Sequence, residues 1–102
     1  MLFRSIRKLS AENQAIMNRI RENLQVLVEY EHLPEDMLLV TEEVHDPGTL
    51  SDVVLAHYKI ELEDAQAALE ELDPLKRLRM TDSAITDDLN KFILTEIGRA
   101  HV

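Results

Sequence analysis

Two glycines and three prolines in 102 residues leave this chain few places to turn. A many-stranded sandwich or barrel needs turn signals roughly every 8–12 positions, and this sequence does not have them. Aliphatic side chains instead recur at spacings of three and four, and Leu alone outnumbers all the aromatics together. That pattern favours helices packed through aliphatic faces. Hydrophobic residues make up 45% of the chain, enough for a modest core in one domain and too many for a disordered one.

Ser10 reads as the N-cap of a long first helix, whose inward stripe is Ile16, Ile20, Leu24, Leu27 and Val28 and which ends near Tyr30 to His32. Pro34 suits the first position of a short second helix, with Glu35 and Asp36 in its first turn and Met37, Leu38 and Val40 facing inward. His45-Asp46-Pro47-Gly48 is the strongest breaker: Pro47 fixes φ, and Gly48 allows positive φ. A third helix then presents Leu50, Val53, Val54 and His57 on one face. After a connector at residues 58–61, a fourth covers about residues 63–72, with Ala65, Ala68, Leu69 and Leu72 inward. Asp73 as N-cap and Pro74 at the first helical position open a fifth, carrying Leu75, Leu78, Ile85, Leu89, Phe92 and Ile93. Met80-Thr81-Asp82-Ser83 weakens that stripe, so a bend or loose segment is expected there. The fold class is all-α, with about five helices: a long amphipathic first, short middle ones and a long last one.

The chemistry is defined largely by exclusion. With no cysteine there is no disulfide scaffold, thiolate metal site or cysteine nucleophile. No phosphate loop, nucleophile elbow or H-E-x-x-H helix occurs, and His32, His45, His57 and His101 lack metal-ligand spacing. They read as ordinary surface or core-rim histidines. The carboxylate pairs Glu42/Glu43, Glu70/Glu71 and Asp87/Asp88 are sequence neighbours, which point about 100° apart on a helix and make no acid/base dyad. No catalytic, cofactor-binding or metal-binding residue is therefore assigned. The formal net charge of −9 opposes binding to nucleic acid and to anionic membranes. The longest apolar runs, such as Met37-Leu38-Leu39-Val40, are too short to span a bilayer, and the first residues lack a secretory h-region. The chain reads as soluble and cytoplasmic.

Two surface features remain. Lys76, Arg77 and Arg79 form a basic cluster, with Arg4, Arg7 and Lys8 at the other end of the chain. Pairing with neighbouring acids is the simpler reading, and a docking patch for an acidic partner the sharper one. The apolar stripes are core in the first instance, but five short helices need not cover all of them.

From Asp46 to Met80 the sequence resembles the helical half of the N-terminal, substrate-binding domain of Lon, the ATP-dependent serine protease. The residues are Asp46-Pro47-Gly48 with Leu50, Asp52, Val53 and Ala56. Leu62, the segment 66–69 with Glu70, Leu72-Asp73-Pro74-Leu75 and Arg77-Leu78 follow in the family's order. The amphipathic helix and the Leu33-Pro34-Glu35 start before them extend the resemblance to roughly residues 12–94. Thr81-Asp82-Ser83 departs from it, because the family's next helix is a continuous Leu/Glu-rich rod. The β-rich subdomain that precedes these helices in Lon is missing, as are the nucleotide-binding and Ser/Lys protease modules that follow.

The resemblance implies a non-catalytic segment for substrate recognition and assembly, part of an ATP-dependent endopeptidase of protein quality control. Its partners would be unfolded or damaged proteins and the remaining Lon modules in a homo-oligomer, a hexamer in the family. ATP and Mg would belong only to the missing ATPase module. The expected contacts are Leu24, Leu27, Val28, Met37, Val54 and Leu69, partly exposed. The alternative is a stand-alone helical adaptor sharing these helices. Residues 97–102 (Ile-Gly-Arg-Ala-His-Val) coincide with a translated sequencing-adapter read-through. They are expected to be a non-native tail on a helical subdomain spanning residues 1–96.

Overall fold

The chain was analysed as a computed structural model, which describes the backbone of residues 2–58 and 62–100 and the side chains of residues 11–58 and 66–96. These residues form α1 (Leu2–Glu29), α2 (Asp36–Glu42), α3 (Pro47–His57), α4 (Leu62–Glu70) and α5 (Pro74–Ala100), with no strand among them. The all-α expectation holds. The side chains of Arg4, Arg7, Lys8 and Ala65, most of the 58–61 connector, and His101 lie outside the described residues.

α1 and α5 run side by side in the same direction. Arg19 pairs with Asp82 and Asn23 donates to Thr86, both 63 residues on, while Tyr30 meets Phe92 further along. Between them α2 returns along α1, where Arg21 meets the carbonyls of Thr41 and Val44. Then α3 runs with α5, from Gly48 beside Pro74 to Tyr58 beside Asp88, and α4 leads back to the start of α5, giving an elongated body of 57 × 23 × 23 Å. Met17, Ile20, Leu24 and Leu27 of α1 interlock with Leu78, Ile85 and Leu89 of α5, and Met37, Leu50, Val54 and Tyr58 close the core. Each fully buried aliphatic side chain of this size contributes about 1.5–3 kcal/mol.

Ser10 is not a cap. The backbone is helical from Leu2, and no Gly or Pro between Leu2 and Leu9 interrupts it. Pro34 lies two residues ahead of α2, and its carbonyl accepts from Met37 N–H at 3.1 Å to start the turn. Both Asp-Pro pairs open helices. Asp46 accepts from Thr49 N–H at 2.9 Å, and Asp73 accepts from Leu75 N–H at 3.1 Å.

The weak point expected in α5 is a continuous helix. Thr81, fully buried, returns its hydroxyl to the Arg77 carbonyl at 2.8 Å. Asp82, only 7% exposed, receives Nε of Arg19 at 3.1 Å on each carboxylate oxygen, with Nη2 also on Oδ2. The polar interruption is thus satisfied by α1, which no local pattern reveals. The helix also passes Glu96 to Ala100, so no break in secondary structure marks the expected domain boundary.

Several expected faces are turned. On α3 the buried residues are Leu50, Ser51, Val54 and Leu55, while His57 is exposed and donates to the Val53 carbonyl of its own helix. On α2, Thr41 is buried in place of Val40. Leu69 and Leu72, expected inward, are exposed because Ala68 is the residue of α4's last turn that meets the core. Gly48 does not use positive φ. Its role is room, since a Cβ there would stand 3.3 Å from Asp46 Oδ2 and 3.4 Å from Arg77 Nη2.

The one described residue with positive φ is Glu31, at 60°. His32 N–H reaches the Leu27 carbonyl at 2.8 Å and Glu31 N–H reaches Val28 at 3.0 Å, the Schellman closure of α1. That position normally belongs to glycine, and a side chain there is strained by roughly 1–2 kcal/mol. Glu31→Gly is therefore expected to raise stability by roughly 1 kcal/mol in urea unfolding. Arg19→Ala should lower it by about 1–2 kcal/mol, because a buried carboxylate loses its donor while the arginine gives up an exposed position. A change below a few tenths of a kcal/mol in the second variant would show that α1 and α5 do not depend on this pair.

Candidate functional site

Three places combine exposure with chemistry. The first is a cavity of about 450 Å³ lined by His32, Leu33, Pro34, His57, Tyr58 and Asp88. The α1–α2 turn brings His32 there, the end of α3 brings Tyr58, and α5 brings Asp88. Tyr58 donates its hydroxyl to Asp88, and His32 Nε2 stands 3.3 Å from the same carboxylate oxygen. The His32 ring lies on Phe92 with centroids 4.6 Å apart. Burial first, then the hydrogen bond and the charge of Asp88, push the Tyr58 phenol well above its ordinary range. It stays a protonated donor, and its bond to Asp88 helps tie the α1–α2 turn, α3 and α5 together. Sequence reasoning missed this cluster, because the members are 30 and 56 residues apart. Among the described residues no group of three His, Cys, Asp or Glu gathers to suit a metal ion.

The second place is the basic cluster. Lys76 faces Glu71 at 3.6 Å, Arg77 faces Asp52 at 3.2 Å and Arg79 faces Glu12 at 3.5 Å. All three cations are matched within the chain, which is the simpler of the two sequence readings. As a docking patch they would first have to release those partners.

The third is a groove of about 510 Å³ where α1 ends and α2 begins. Val28, Leu38 and Leu39 form its apolar floor, Gln25 lies along one side, and Glu29, Glu31 and Glu35 form its rim. Leu39 is 65% exposed. A neighbouring depression shares Gln25 and Leu38 and adds Arg21, Thr41 and Glu42. Arg21 is committed there to the carbonyls of Thr41, at 3.3 Å, and Val44.

Of the six aliphatic residues expected to meet a partner, Leu24, Leu27, Met37 and Val54 are core and present no surface. Their stripe faces α5 and the short helices. Val28 is half-buried at the groove, and Leu69 is exposed on α4. The exposed Leu39 was absent from the expected contacts. The signal was the period of four that places Met37 and Thr41 inward and Leu39 opposite them.

No family model matches the chain, and no solved structure matches it. Curated proteins do. The Lon protease of Geobacter metallireducens is 31% identical over 88 residues, 85% of this chain and 10% of that protein. Lon protease of Desulfovibrio desulfuricans is 33% identical over 76% of this chain and 9% of its own length. Lon protease 2 of Bdellovibrio bacteriovorus is 29% identical over 82% and 11%. The chain is a relative of the Lon proteases. It spans only about 9–11% of the length of these three.

The residues that carry the Lon resemblance converge in space. Asp46-Pro47-Gly48 starts α3 and Asp73-Pro74 starts α5. Gly48 lets Pro74 and Arg77 approach, and Arg77 reaches Asp52. Two helix N-termini are thus capped and locked together at one end of the body, a structural function rather than a chemical one. No described helix is long and apolar enough to cross a membrane.

Asp46 is held below the usual carboxylate range chiefly by Thr49 N–H, then by the Thr49 hydroxyl, with Gly48 N–H and Arg77 adding to them. A carboxyl with a lowered folded-state value contributes stability above its unfolded value near ~3.9, and loses it as pH falls through the folded value. Asp46→Ala is accordingly expected to lower stability by about 1 kcal/mol near neutral pH, with the deficit shrinking below about pH 4. Paired urea titrations across that range check it; a deficit independent of pH would remove the charge from the account.

Proposed function

We propose that the chain is a substrate-recognition and assembly segment of a Lon-type, ATP-dependent protease of protein quality control, non-catalytic in itself. The observation that carries this reading is the relationship to Lon proteases across 85% of the chain. What the structure contributes is consistent in kind: its exposed chemistry includes a surface with aliphatic side chains and carboxylates. Leu39, Leu69, Leu72 and Leu94 are each more than half exposed. Such side chains suit low-specificity contacts with apolar stretches of unfolded polypeptide. In this reading the segment belongs to the N-terminal region of a cytoplasmic homo-oligomer. ATP and Mg serve a nucleotide-binding module outside these residues, and peptide cleavage takes place in a separate protease module.

A stand-alone helical adaptor is the second reading. In its favour, the helices close a core within this chain alone, with nine large apolar side chains fully covered among the described residues.

The test is binding of the purified chain to a reduced, carboxymethylated protein and to the same protein folded, followed by fluorescence anisotropy. Saturable binding to the unfolded form alone is expected. Equal binding to both forms, or to neither, would remove substrate recognition from the proposal.

A further inference from the structure

The groove between the end of α1 and the start of α2 combines features that work against the stability of the isolated chain. α1 ends in Glu29 and Glu31, with no basic residue in its last turn. A helix C-terminus carries partial negative charge, so carboxylates there are unfavourable by a few tenths of a kcal/mol each. Glu31 also occupies the left-handed position that glycine would fill without strain. Leu39 keeps 65% of its surface in water directly beneath them. Glu35 is different, since it stands at the N-cap position of α2, without a side-chain cap bond, where the positive end of the helix favours a carboxylate.

None of the groove's lining residues is basic. Glu29 accepts from Gln25 at 3.3 Å, and the cations of Arg19, Lys76, Arg77 and Arg79 face other acids. An apolar floor under an acidic rim, on the negative end of a helix, is complementary to an apolar side chain flanked by cations. A second copy of this chain fits badly, because at −9 it brings like charge to the rim. Anionic lipid is repelled for the same reason.

We infer that this groove seats a polypeptide segment in which an apolar residue, resting on Val28, Leu38 and Leu39, is flanked by Lys or Arg that meet Glu29 and Glu31. The inference rests on the recognition role proposed above and narrows it to a substrate class. Recognition by the apolar floor sets that a segment binds, and the rim sets which segments bind, by repelling acidic ones.

The experiment uses two short labelled peptides of the same apolar sequence, one flanked by lysines and one by glutamates, titrated against the purified chain. The lysine peptide is expected to bind about ten-fold tighter, with the difference shrinking as salt rises. Glu31→Gly together with Glu29→Gln should weaken the lysine peptide about three- to ten-fold. Because Glu31→Gly relieves backbone strain, this loss comes with unchanged or raised stability, so unfolding does not mimic it. Leu39→Asn should weaken both peptides, and Arg79→Ala neither.

Equal affinity for the two peptides, or insensitivity to the groove variants, overturns the inference. So does self-association in sedimentation that Leu39→Asn abolishes, which would make the occupant a second copy. The carboxymethylated unfolded protein separates the two levels. If it binds the parent chain and the groove variants alike, the recognition role stands and the groove falls. If it binds neither, both fall.

Discussion

Everything in this fold is arranged around the parallel contact between α1 and α5. Two helices of 28 and 27 residues, far apart in sequence, must meet in one register before either can bury its stripe. Ile20, Leu24 and Leu27 lie in one buried cluster with Leu78, Ile85 and Leu89, each contributing about 1.5–3 kcal/mol. That apolar contact alone tolerates sliding by a turn, because neighbouring turns present similar leucines. Arg19 on Asp82 does not tolerate it. A carboxylate that is 7% exposed has one donor within reach, and moving the helices by one turn leaves it buried and unpaired. The pair is therefore more important for choosing the register than for holding it.

The short helices follow from that geometry. A parallel pair requires the chain to return along the body: α2 makes the first return along α1, α3 runs forward beside α5, and α4 makes the second return. The Asp-Pro starts at residues 46 and 73 place two N-termini against each other, with Gly48 providing the space and Arg77 the bridge to Asp52. The resemblance to Lon read in the sequence lies on these positions, where α3 and α5 set out side by side. The His32, Tyr58 and Asp88 cluster ties the far end of α3 to α5 and to the α1–α2 turn.

Stability and surface chemistry pull apart at the end of α1. A strained Glu31, carboxylates on a negative helix end and an exposed Leu39 are each locally unfavourable, and all three occur on one groove. Three such features sharing one groove are the ground for reading it as a binding surface.

The helical class, the positions of both Asp-Pro starts and the inward stripe of α1 were legible in the residues alone. Period, capping chemistry and the fixed φ of proline act within a few residues, and a single sequence displays them in full. The resemblance to Lon was legible for the same reason, since it lies on those local starts. What faces outward was another matter. Leu69 and Leu72 have helical spacing and are nevertheless exposed, while Thr81 and Asp82 break the pattern and are nevertheless buried. Leu24, Leu27, Met37 and Val54 became core rather than contact surface once the five helices packed together. The groove at Glu29, Glu31 and Leu39 exists only because α2 folds back against the end of α1. Periodicity states that a face is apolar, but which helix covers it, and which polar group meets its partner 63 residues away, is decided only when the helices pack.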